Sequence, residues 1–220
     1  MFDNVIQLLP EIWLSLGQTA IMVGISVGSA LLFGTPLGVV LYLTDEGQPW
    51  QNPVLYRVLN YVVNMVRSFP FIILLVSLIP LTRLLLGTTI GPVAASVPLS
   101  VAAIPYFARL VEQSIREVPK GVIEAAVSMG ATTPQIIRRV LLVEARSGLV
   151  LGTTVVTISF LSNSAMAGVV GGGGIGDLAI RYGYYRFETD VMVAMILILI
   201  LLVQLFQFIG NRVARFVDKR

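Results

Sequence analysis

The 220-residue sequence contains neither cysteine nor histidine. The first absence removes disulfides, thiolate nucleophiles and cysteine-built metal sites; the second removes the commonest general base and a principal zinc ligand, so no metal site and no catalytic residue is expected. Charge is scarce as well. Only 12% of residues are Asp, Glu, Lys or Arg, 56% are apolar, and mean hydropathy is +0.87, outside the balance of soluble domains. No G-x-x-x-x-G-K-[ST] string occurs, so the phosphate-cradling element of an ATPase is missing. The net charge of +3 does not argue for nucleic acid, because basic residues in a membrane protein report the orientation of its loops.

What the sequence has instead is long uncharged stretches. A helix crossing a hydrocarbon core of roughly 30 Å needs about 20 residues. Five crossings fit: Ile12 to Thr44 as one tilted span with an interfacial turn near Trp13; a second between Leu55 and Leu81, with Arg67 inside and a kink at Pro70; a third from Ile90 to Ala108; a fourth from Ser147 into a glycine cluster; and a fifth from Val191 to Gly210. The expected fold is all-α and polytopic, with residues 1–11 as an extracytoplasmic N-terminus, 12–210 as the transmembrane domain and 211–220 as a basic tail. The first stretch is no cleavable signal peptide, since no Lys or Arg precedes it and its apolar region is too long. Arg57, Arg109, Arg116, Lys120, Arg138, Arg139, Arg146, Arg212, Arg215, Lys219 and Arg220 fall on one side, and Arg83, Arg181 and Arg186 on the other. The positive-inside rule then predicts an outside N-terminus and a cytoplasmic C-terminus in a multi-pass membrane protein.

The charged segment from Arg109 to Arg146 is a loop between the third and fourth crossings, and its part 117–146 reads as two short helices around a break. Pro119 suits a first helical turn, Val122, Ile123, Ala126 and Val127 form an apolar stripe, and Gly130 suits a left-handed helix end. Thr133 is expected to cap a second helix with Pro134 at its start and Ile136, Ile137, Val140 and Leu141 as its stripe. Ala125 and Ala126 leave the first helix thin on one side, beside the lone carboxylate of Glu124. Such a helix fits a groove on a partner protein. A DNA-reading role is excluded by the tethering of both ends at the bilayer, and an amphipathic loop resting on the membrane is the blander alternative.

Glu124, Ala125 and Ala126 followed by Gly130 and Ala131 resemble the EAA loop in the membrane subunits of bacterial ATP-binding-cassette importers of the type I fold. The chain is similar in particular to the permease subunits of methionine importers, through RSFPFIILL (67–75), ATTPQIIRRVLL (131–142), SAMAG (164–168), GGGGIG (171–176) and YGYYRF (182–187). The resemblance implies that the loop is a coupling helix received by a separate cytoplasmic ATPase, which would hold ATP and Mg, with Glu124, Ala125, Ala126, Met129 and Gly130 as the coupling residues. It also implies an extracytoplasmic methionine-binding protein, facing Gly171, Gly172, Gly173, Gly174, Tyr182 and Tyr184, with Tyr185 as a further interface aromatic, and a location in the bacterial inner membrane. One departure is visible: Leu142 is followed by Val143 where the family usually has proline, which alters how sharply the loop re-enters the membrane.

Two features stay open on the residues alone. The glycine cluster is either a flexible span end needing positive φ or a hinge facing a partner. Arg67, roughly 15 Å deep if its helix starts at Arg57, either pairs with a substrate carboxylate, rests on a helix-end carbonyl, or snorkels to the interface. The fourth crossing carries Thr153, Thr154, Thr157, Ser159, Ser162, Asn163 and Ser164. Most are expected to bond back to their own helix, while Ser159, Asn163, Ser164 and Met166, with Arg67, are the candidates for lining a passage for a zwitterion with a thioether side chain. Five crossings cannot readily enclose such a passage, so a symmetric dimer is expected. The rival readings are an ion-coupled secondary transporter or a permease for another polar amino acid; the first is disfavoured because Glu11, Asp45, Glu46, Asp177, Glu188 and Asp190 read as lying at or beyond span ends. An intramembrane hydrolase is weaker still, since Ser162 and Ser164 have no evident base.

Overall fold

A computed structural model describes residues 3–48 and 50–218. Lys219 and Arg220 of the expected basic tail lie outside the described residues. Every regular element among those described is helical. Four helices are long and apolar enough to cross a membrane: Leu9–Thr44, Pro92–Arg116, Arg146–Gly172 and Thr189–Val217. A fifth crossing exists if Pro53–Ser68 and Phe71–Ser77 count as one broken span, and these two meet at 103°. The expected kink at Pro70 is thus a sharp break, since Phe69 is extended (φ −71°, ψ 131°) and the residue before a proline is driven out of the α region. A short helix, Ile79–Leu86, follows and ends at Gly87 with φ +72°.

Prolines mark several helix starts: Pro10, Pro53, Pro80 and Pro92 all occupy a first turn, where no backbone donor is lost. Asn52 adds a cap, its side chain accepting from the Leu55 amide at 3.1 Å. The first long helix has no interfacial turn at Trp13. Its start is set instead at Leu8, and it runs unbroken for 36 residues, about 54 Å at 1.5 Å per residue. A π-helical turn at Ala30–Gly34 precedes Pro36 and absorbs the missing donor and ring clash of that proline.

Pro92–Arg116 is the central helix. Leu99, Ala103, Phe107, Ala108, Val111 and Ile115 are all buried, in part because the first helix approaches closely. A Cβ on Gly38 would collide with the Ala108 carbonyl, and one on Gly34 with that of Ile104. The G-x-x-x-G spacing of these two glycines is the small-residue signature of tight helix pairs in membranes, where packing replaces the hydrophobic drive. The helix extends two turns past the expected end at Ala108. The last helix likewise begins before Val191 and continues past Gly210 to Val217, so the expected boundary at 210/211 falls inside it, as the one at 11/12 falls inside the first.

Candidate functional site

Between the central helix and Arg146–Ala167, the chain forms the two short helices expected from its sequence. Lys120–Ser128 starts one residue after Pro119 and is closed by Gly130 at φ +76°. The second begins one residue earlier than expected. Thr132 rather than Thr133 is the cap, with the Gln135 side chain accepting from the Thr132 amide at 2.8 Å. From Thr133 the chain stays helical through Glu144 and re-enters Arg146–Ala167 after one interruption at Ala145, a shallow path consistent with Val143 in place of proline.

The expected apolar stripe of the first short helix divides. Ala126 is 5% exposed and packs with Ile123 into the main core cluster, together with Ile136 and Leu141 of the second helix. Ala126 therefore anchors the helix to its own chain and is turned away from any docking surface. Glu124, Ala125, Val122, Val127 and Gly130 are exposed, and Met129 is 81% exposed. The outward face thus combines one carboxylate, a small residue and three apolar side chains, a surface suited to a complementary groove.

Just before this loop the charged residues behave differently. Glu112, counted with the loop from sequence, lies in the central helix and is 1% exposed. Its carboxylate accepts from Arg109 and Arg116, each at 2.6 Å. Arg109 also donates to Asn60 and Asn64 on Pro53–Ser68, and Arg116 to Asp45 at 2.6 Å. The spacing 109, 112, 116 puts all three on one helix face, so one buried carboxylate gathers two cations that tie three elements together. Sequence reasoning missed this network; the i, i+3 and i+4 charge pattern was its only local signal. Glu11 lies in the first turn of the first long helix, at the span end expected for it, whereas Glu112 sits near the C-terminal end of the central helix, past its apolar part.

The candidate passage residues separate too. Ser164 is buried and donates to the Leu161 carbonyl at 2.7 Å, so it is spent on its own helix. Thr153, Thr154, Thr157 and Ser162 bond back in the same way. Ser159 and Asn163 are half-buried, Met166 is 50% exposed, and among the described residues Asn163 has no hydrogen-bond partner. Arg67 is exposed at the end of Pro53–Ser68 and sits 5.8 Å from the ring centroid of Tyr106, which in turn packs edge-on against Phe160. It forms a cation–π contact rather than an ion pair.

At the opposite end from the short-helix loop, the glycine cluster is packed rather than loose. Gly171 and Gly173 have φ of +92° and +75°, and the chain turns back so that Gly174 and Ile175 donate to Gln18 and Thr19 of the first helix at 2.7 and 3.0 Å. Gly172 and Gly174 are buried and out of reach of a second protein. Tyr182 is also buried, its hydroxyl donating to Glu11 at 2.9 Å; that bond holds the phenol above its usual pKa. The accessible surface of this region includes Gly171, Arg181, Tyr184, Tyr185, Arg186 and Phe187.

The sequence profile described as binding-protein-dependent transport system inner membrane component matches residues 34–220. The chain is 49% identical over 203 residues to a probable D-methionine transport system permease protein of Vibrio cholerae, covering 92% of this chain and 90% of that one. It is 42% identical over 212 residues to the methionine import system permease protein of Bacillus subtilis, covering 96% of each. Among solved structures, a chain of the MetNI methionine ABC transporter in inward-facing conformation superposes with a TM-score of 0.94 at 44% identity, covering 100% of both chains.

Proposed function

Because the chain belongs to the family of binding-protein-dependent transport system inner membrane components, we propose that it is the membrane-spanning subunit of an ATP-driven methionine importer, forming the passage by alternating access. The substrate follows from relatives named for methionine or D-methionine transport at 42–49% identity. Family membership removes support from the ion-coupled secondary transporter. Chemistry on this chain is limited to binding and gating; ATP and Mg belong to a separate cytoplasmic ATPase. An extracytoplasmic methionine-binding protein delivers the substrate, and two copies of this chain enclose the passage about a two-fold axis. The N-terminus faces out and the C-terminus faces the cytoplasm.

The observation that carries this reading is the loop closed by Gly130. Its outward face, Glu124, Ala125 and Met129, is exposed while Ala126 and Ile123 fasten it to the core. A partner pressing on that face moves a helix that is firmly joined to the spans. At the other end, Gly171, Tyr184 and Tyr185 meet the binding protein. Ser159, Asn163, Met166 and Arg67 line the passage.

Co-purification of the chain with its ATPase, followed by uptake of labelled methionine into vesicles, tests the proposal. Uptake must require ATP and survive collapse of ion gradients. Uptake that continues without ATP and stops with the gradient overturns it. A reporter fused after Arg220 that is active only outside the cytoplasm overturns the orientation.

A further inference from the structure

The last helix, Thr189–Val217, is the most apolar of the long helices, and few of its residues are fully buried in the single chain. Between Val191 and Phe206 it holds one polar side chain, Gln204, close to its midpoint. Gln207, further on, is paired with Asn211 at 3.1 Å. Gln204 is exposed and has no hydrogen-bond partner among the described residues. Hydrocarbon offers an amide nothing to bond, so a polar side chain at this depth faces protein, water or a polar ligand.

Gln204 lines a groove of about 200 Å³ between this helix and Arg146–Ala167, with Leu161, Ser162, Leu199, Ile200 and Val203. Ser162 donates to the Ile158 carbonyl at 3.3 Å, which leaves its oxygen free to accept. It lies on the exposed face of its helix in register with Leu151, Val155 and Met166, beside the unpartnered Asn163. An apolar groove of side-chain size, with one amide and one hydroxyl in its wall, has the make-up of a small-ligand site: apolar lining for the body, a few polar groups for orientation.

We propose that Gln204 and Ser162 frame a substrate subsite in the passage, in which the groove holds the unbranched apolar side chain of an α-amino acid and the Gln204 amide hydrogen-bonds its zwitterionic head. The inference rests on the importer reading and extends it to a residue on a helix that composition alone assigns to lipid. An amide suits a zwitterion, since it donates to a carboxylate and accepts from an ammonium group without the cost of a fixed charge at this depth.

The absence of cysteine makes the test direct, because Gln204→Cys introduces the chain's single thiol. In vesicles holding the whole transporter, the Gln204→Cys thiol is treated with a charged methanethiosulfonate reagent, with and without saturating methionine. Leu205→Cys, also exposed but rotated about 100° around the helix, supplies the lipid-facing baseline. The expected result is reaction at least tenfold faster than that baseline, slowed at least threefold by methionine. Ser162→Cys repeats the measurement from the opposite wall should the first variant assemble poorly. Reaction no faster than the baseline overturns the proposal in favour of lipid, and a disulfide joining two copies through the Gln204→Cys thiol overturns it in favour of a subunit seam. Fast reaction that methionine leaves unchanged overturns the subsite. ATP-dependent uptake by the unsubstituted transporter is measured alongside, so that uptake without protection counts against the subsite alone, and no uptake counts against the importer reading.

Discussion

Two neighbouring groups of charged side chains meet opposite fates. Arg109, Glu112 and Arg116 share one face at the end of the central helix, where Glu112 is buried, Arg109 is largely covered and the more exposed Arg116 is held by its ion pairs, and both arginines reach other elements. Lys120, Glu124, Arg138 and Arg139, on the loop that follows, are exposed and make no ion pair among the described residues. Composition treats them as one charged stretch. What separates them is geometry: the first group shares one face of a helix that continues two turns beyond its apolar part, so neighbouring helices cover it. The second group sits on short helices whose apolar sides are already spent on the core, which leaves the charges pointing out. Inward charges fix how the spans are held together, and outward charges are free to meet a partner.

The largest expected effect comes from breaking the inward group. Glu112→Leu leaves two arginines without their shared carboxylate, and loss of one member of a buried pair costs about 3 kcal/mol, over a hundredfold in the folding equilibrium. Thermal or denaturant unfolding of the detergent-solubilised protein reads it, and a variant as stable as the parent would mean that the network is idle. Next come Glu124→Lys and Gly130→Trp on the outward group. Each is expected to lower ATP-dependent methionine uptake at least tenfold, with the Glu124 variant unfolding as the parent does; normal uptake by both would remove the docking role. Gly130→Trp carries an added strain because the position holds φ +76°.

A smaller effect is expected at the boundary between the two groups. Thr132→Ala removes the capping box of the second short helix, a loss of about 1 kcal/mol, roughly fivefold locally. Faster amide exchange confined to residues 132–141 would register it; unchanged exchange there would mean that the cap contributes nothing. The smallest effect belongs to Arg138→Gln combined with Arg139→Gln. Both side chains are exposed and unpaired, so unfolding stays within experimental error of the parent. A clear loss of stability would show that these arginines contribute to the fold after all, and the contrast with Arg109 and Arg116 would fail.

Much of the fold was legible because membrane crossings announce themselves by length and lack of charge. Leu9–Thr44 and Thr189–Val217 needed little else, and the turn at Gly130 followed from the one residue type that accepts positive φ cheaply. The break after Ser68 was visible as a proline but not in its angle, which depends on what the two short helices pack against. The passage candidates were harder. Serine and threonine in a span bond back to their own helix or face a partner with no difference in sequence, and Ser164 went one way while the amide of Asn163 was left unpaired. Among the glycines, Gly173 and Gly174 are small because the chain folds back against Gln18, Thr19 and Met22 of the first helix, a contact between segments more than 150 residues apart.

The sequence by itself determined that the chain lies in lipid, how many apolar rods it has to offer, and where the loop between the third and fourth turns, because hydration cost and backbone sterics act residue by residue. Only the tertiary structure decided which face of each rod is inward: that Ala126 anchors while Met129 is bare, that Glu112 is covered, and that Gln204 borders a groove. Those outcomes depend on which helix lies beside which, and within a bilayer, where lipid tails are as apolar as the side chains they meet, hydrophobicity carries no record of a rod's neighbours.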